Sequence, residues 1–197
     1  MPRTAVTDAE HVVYTDHSIP RRPVPRNARP PSDAPLVAFG VAIASPRDLG
    51  LAYATVAVRE DNAAYRERAF DLLRQANQTM PDDPQTLSYL ADLYKRRSED
   101  REAARLYEEL LRVDPSQSSA PAALGAYAME QGHYEEAIRL WNIALRISPA
   151  LVLVRLNLAV ALDRTGRRSE ARAQVEKTLE LNPWLPAARR LLEQLSR

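Results

Sequence analysis

From residue 47 to the end of the chain, apolar side chains recur at helical spacing in a texture dominated by Ala, Leu, Arg and Glu. Compared with itself, this stretch matches at a period of 34 residues without a gap. Alanine recurs at Ala69, Ala103, Ala137 and Ala171, and proline at Pro81, Pro115, Pro149 and Pro183. Val56, Leu90, Leu124 and Leu158 fall in the same register, each followed by a small residue: Ala57, Ala91, Gly125 and Ala159. A further series of mostly bulky residues runs Leu73, Tyr107, Trp141 and Val175.

Each series has a packing reason. Two antiparallel helices approach to about 8–10 Å only where small side chains meet, and larger neighbours must fill the flanking space. Proline disfavours helix in the residue before it and lacks a backbone donor, so it closes each unit. Gly132 and Gly166 mark turns between paired helices, and the first unit has Ala64 where its turn glycine would sit, with Glu60, Asp61 and Asn62 expected as a loop.

These residues resemble the tetratricopeptide repeat, matched best by LGAYAMEQGHYEEAIRLWNIALRISP at 124–149. The resemblance implies an all-α solenoid of four helix–turn–helix repeats, at 50–83, 84–117, 118–151 and 152–185. A capping helix at 186–196 ends the array, and residues 47–197 form the repeat domain. The first repeat is the weakest, as terminal repeats often are.

Residues 1–46 have a different texture: eight of the fifteen prolines lie there, six of them between Pro20 and Pro35, interleaved with arginine. Such a segment favours extended polyproline conformation. Two of the three histidines, His11 and His17, fall in HVVYTDHSIPRRP. They read either as ligands to a metal or haem iron, with Thr15 and Asp16 as hydrogen-bonding neighbours, or as solvated side chains of a tail.

The same stretch is similar to the region following a CxxCH haem site in multihaem c-type cytochromes that carry a tetratricopeptide domain, and the likeness continues through RDLGLAYA at 47–54. It implies that the chain is the C-terminal portion of an electron-transfer protein of that kind. His11 and His17 would then be axial ligands to haem c attached upstream, and Arg21 and Arg22 would face haem propionates. The chain itself has no cysteine, so no haem is attached within it and no cofactor is expected in it.

Net charge is +1, which offers no field to concentrate on phosphate, so neither nucleic acid nor an anionic membrane surface is an expected partner. The longest apolar run, residues 36–44, is far shorter than the roughly 20 residues needed to span a bilayer. No basic-then-apolar leader opens the chain, which points to the cytoplasm by default, or to an extracytoplasmic compartment if the cytochrome resemblance holds.

Catalytic patterns are missing. The glycines never fall in a phosphate-loop spacing, His133 follows Gly132 in a turn without triad partners, and acidic pairs such as Glu108–Glu109 fall on outer faces. Trp141, Tyr107 and Tyr134 are assigned to packing between helices. A non-catalytic scaffold that binds a protein or peptide partner is the expected function, along the concave face lined by each repeat's first helix. The register places there Ser88, Asp92, Lys95 and Arg96, then Ala122, Ala126 and Met129, then Leu153, Leu156, Asn157 and Val160. In tetratricopeptide domains that grip a terminal carboxylate a particular Lys, Asn and Arg set is used, and only Asn157 resembles a member of it. The apolar end of the groove is suited to a hydrophobic segment of a partner or to the chain's own residues 36–44.

Overall fold

A computed structural model of the chain describes residues 35–36 and 44–196. Nine α-helices are its regular elements among the described residues. They are α1 (Pro46–Glu60), α2 (Ala63–Thr79), α3 (Pro84–Arg96), α4 (Asp100–Val113), α5 (Ser119–Glu130), α6 (Tyr134–Ile147), α7 (Val152–Arg164), α8 (Arg168–Leu181) and α9 (Pro186–Leu195). Four pairs, α1/α2 through α7/α8, pack as hairpins, each second helix leans on the first helix of the next pair, and α9 leans on α8. The fold is thus an all-α helical-repeat solenoid.

Helix ends follow local chemistry. Ser45 accepts from the Asp48 amide at 3.0 Å and Asp83 from the Thr86 amide at 2.9 Å, and proline occupies the first turn of α1, α3 and α9. The residues before the four periodic prolines, Met80, Asp114, Ser148 and Asn182, all leave the helical region, with ψ of 74°, 83°, 92° and 87°. That is the steric effect of the proline ring on the residue before it, and it ends each second helix at the same place.

Turns within the hairpins differ in a revealing way. Gly132 and Gly166 have φ of 78° and 79°, and Ser98, at the same register position, takes φ 61° without the freedom of glycine. The first repeat avoids this turn: α1 is closed by Asp61 at φ 49°, Asn62 caps α2, and Ala64 lies inside the helix. Glu60 is still helical, so the expected loop is one residue shorter.

The core is the seam inside each hairpin. Ala57, Ala91, Gly125 and Ala159 on first helices and Ala69, Ala103, Ala137 and Ala171 on second helices are all buried. So are Leu73, Tyr107, Trp141 and Val175, and so is a further series at Ala76, Leu110, Ala144 and Thr178. Thr178 satisfies its hydroxyl on the Gln174 carbonyl at 2.8 Å, which is what a buried polar side chain requires. Tyr134, assigned above to the same packing, is only half-buried because it sits at the mouth of the turn opening α6, beyond the seam.

Ion pairs tie successive repeats. Arg47 grips Asp83 through Nε at 2.9 Å and Nη2 at 3.0 Å, Arg97 meets Glu67 at 2.6 Å, and Arg167 reaches Glu135 at 3.6 Å. The last two are largely exposed, where solvent screening leaves such pairs little net stabilisation. The capping helix turns Ala188 and Leu195 inward and Arg189, Arg190 and Glu193 outward, which gives the array a polar end.

Candidate partner-binding face

First helices of neighbouring repeats touch in two of three cases, α1 with α3 and α5 with α7, whereas no two successive second helices have a comparable contact. The array therefore bends with its first helices on the inside. Residues 34 apart hold equivalent places on that inner face, as Val58, Asp92, Ala126 and Val160 do.

The residues assigned to this face from sequence fall on it unevenly. Asp92, Lys95, Arg96, Leu153 and Asn157 are exposed, and Ser88, Ala122, Ala126, Met129 and Val160 are half-buried. Leu156 is a correction: at 9% exposure it belongs to the core and presents nothing to a partner. Its register equivalents are Ala54, which is buried, and the half-buried Ser88 and Ala122. The position lies on the seam between first helices, and a leucine there gains by turning its apolar surface inward.

Asp92 has a fixed role. The Tyr107 hydroxyl donates to Oδ1 of Asp92 across the second hairpin. Burial, and then the hydrogen bond and the negative charge of Asp92, hold the Tyr107 hydroxyl far above its usual range, so it remains a donor. The contact anchors a carboxylate on the inner face rather than leaving it mobile.

Val58, Tyr89 and Arg66 also contribute to this face, together lining a cavity of 50 Å³ between α1 and α3 with Arg96. Sequence reasoning passed over all three. Val58 was within reach, because it stands 34 residues before Asp92; Arg66 was not, because only the early start of α2 brings it there.

His133 is exposed at the start of α6, as expected. No group of three or more His, Cys, Asp or Glu gathers to hold a metal among the described residues, and no helix there is long and apolar enough to cross a membrane. His11, His17, Arg21 and Arg22 lie outside the described residues, as do 37–43 of the apolar run that was a candidate to fill the groove.

Among the described residues this geometry defines a helical-repeat protein with exposed side chains on its inner face. Residues 128–195 match the family model of the tetratricopeptide repeat. The peroxisomal targeting signal receptor of Saccharomyces cerevisiae is 29% identical over 110 residues, which cover 56% of this chain and 18% of that receptor. The chain thus spans less than a fifth of the length of that curated relative. Among solved structures, MamA (AMB-1) superposes with a TM-score of 0.65 at 25% identity, over 77% of this chain and 81% of its own. A double mutant of MamA (RS-1) gives 0.67 at 17%, over 79% and 85%, and Pseudomonas aeruginosa pilF gives 0.63 at 24%, over 76% and 67%. The last two likenesses speak to the fold alone. Fold and repeat register make this an all-α helical-repeat solenoid whose residues 128–195 carry the tetratricopeptide match.

Proposed function

We propose that the chain is a non-catalytic scaffold that holds an extended or helical segment of a partner protein along the face formed by α1, α3, α5 and α7. The observation that carries this reading is the exposure of large apolar side chains on those helices: Val58 is 63% exposed and Leu153 66%. Neither packs within its own hairpin, and an exposed apolar side chain on a curved face with polar neighbours is what a docking surface offers a partner. The match to a targeting-signal receptor agrees with a segment-binding role, since that protein's name describes recognition of a signal.

The test places a photo-crosslinking residue, benzoylphenylalanine, in place of the exposed Asn157 on α7, and separately in place of Arg139 on α6, in the full chain expressed in its host. A discrete adduct from position 157 and none from position 139 is the expected result. Equal labelling from both positions, or none from position 157, would refute an inner-face partner.

A further inference from the structure

The second repeat ends its first helix with Lys95 and Arg96, where the third has Met129 and Glu130. Arg96 borders two adjoining recesses: the 50 Å³ cavity, which Ala54, Val58, Tyr89 and Leu93 also line, and one of 60 Å³ that it shares with Arg66 and Leu93. The first recess is lined mainly by apolar side chains, and the two together also hold the guanidinium groups of Arg66, Arg96 and Arg97 and the carboxylates of Glu67 and Asp92.

The other charges lining these recesses are already engaged. Glu67 takes Arg97 at 2.6 Å, and Arg97 also reaches Glu99 at 2.8 Å. Asp92 accepts the Tyr107 hydroxyl, and Arg66 holds Asp61 at 2.8 Å. Arg96 has no ion-pair or hydrogen-bond partner among the described residues, although its exposed side chain borders both recesses. Its place at the end of α3 explains a cation there, because the helix dipole favours one, but leaves its donors open.

We infer that this cleft seats an acidic side chain of the partner segment, with Arg96 as the anchoring cation and the acid's apolar neighbour against Val58 and Tyr89. The inference rests on the inner face being the docking surface. A guanidinium presents a planar fork that matches a carboxylate in two parallel hydrogen bonds, and the apolar side chains of Val58, Tyr89 and Leu93 border Arg96 on the side of the first recess. A basic segment would meet Arg66, Arg96 and Lys95 together and be repelled. The occupant is therefore an acidic-and-apolar peptide stretch, and the carboxylate comes from its side chain.

The experiment selects a phage-displayed random dodecapeptide library against the full chain, then measures a selected peptide by fluorescence anisotropy on the wild type and on R96Q, R139Q and L153D. Selected peptides should carry Asp or Glu beside an apolar residue. R96Q should weaken binding about tenfold or more, a loss that raised salt reproduces in the wild type, and R139Q should leave it unchanged. Neutral or basic selected peptides, or equal affinity for R96Q and the wild type, would overturn the inference. If such peptides still lose binding in L153D, the scaffold reading stands and only the acidic anchor fails; if no peptide is selected, both fail.

Discussion

Gly125 and Trp141 make one physical unit, and replacing Gly125 by alanine tests it. A Cβ built on Gly125 would stand 2.5 Å from Nε1 and 2.6 Å from Cδ1 of Trp141, whereas ordinary contact needs about 3.5 Å or more. The indole would have to move by roughly 1 Å, and at 1% exposure it has nowhere to go. Moving it also breaks the hydrogen bond from its Nε1 to the Ala122 carbonyl, 3.1 Å long. Overpacking costs about 1–3 kcal/mol and an orphaned buried indole N–H another 1–3 kcal/mol, against which the better helix propensity of alanine returns about 1 kcal/mol. The net expectation for G125A is a loss of roughly 2 kcal/mol. In a W141L background the balance inverts, because that pair reproduces Ala57 with Leu73 of the first repeat, both fully buried. There G125A should stabilise by up to about 1 kcal/mol from propensity alone. Urea unfolding of the four chains, followed by far-ultraviolet circular dichroism, gives the cycle. Equal effects of G125A in both backgrounds, or an increase in midpoint for the single variant, would refute the reasoning.

Two further outcomes follow from local geometry. At the shared turn position, S98G should stabilise by about 0.5–1 kcal/mol by relieving a serine at φ 61°, while G132A, with open space around it but φ 78°, should cost about 1 kcal/mol; denaturant midpoints moving the same way in both variants would contradict this. D83N keeps a capping oxygen for the Thr86 amide but removes the charge that pairs with Arg47, and should cost about 1 kcal/mol at neutral pH. Burial opposes ionisation of Asp83, yet the hydrogen bonds from Arg47 and Thr86 prevail and hold its carboxyl below the usual range. A depressed folded-state value means that the advantage over D83N is fully present above about pH 4 and disappears only as pH falls through that depressed value. Stability curves against pH for both chains check it, and a gap that closes at neutral pH or above would be the wrong sign.

Much of the fold was written in the spacing because the seam of each hairpin has a narrow solution. The series at Ala69 and Ala57, with their equivalents, admits only small side chains, so the 34-residue period survives in plain sight. The periodic prolines were equally legible, since the residue before each leaves the helix by a local steric rule. Less visible was anything that depends on two positions at once. Trp141 and Gly125 stood as members of separate series, and only the 2.5 Å that would separate a Cβ on Gly125 from the Trp141 indole shows that the largest residue of one series demanded the smallest of the other. Ser98 in a left-handed turn, and the early start of α2 at Ala63, likewise depend on neighbours rather than on the local string.

The candidate site was legible as a place but not as a preference, and the reason is the same packing logic turned outward. Seam positions are answerable to a partner helix in the same chain, whereas exposed inner-face positions such as Val58 and Leu153 have no packing demand within their own hairpin. Register alone therefore places these positions but does not fix their chemistry. Leu156 shows the limit: it has inner-face register, yet its own apolar surface turns it into the core. Arg96 shows what structure adds, because a cation at the end of α3 is unremarkable in sequence, and only the pairing of Glu67, Asp92, Arg66 and Arg97 with other groups leaves it as the lining charge without a partner among the described residues.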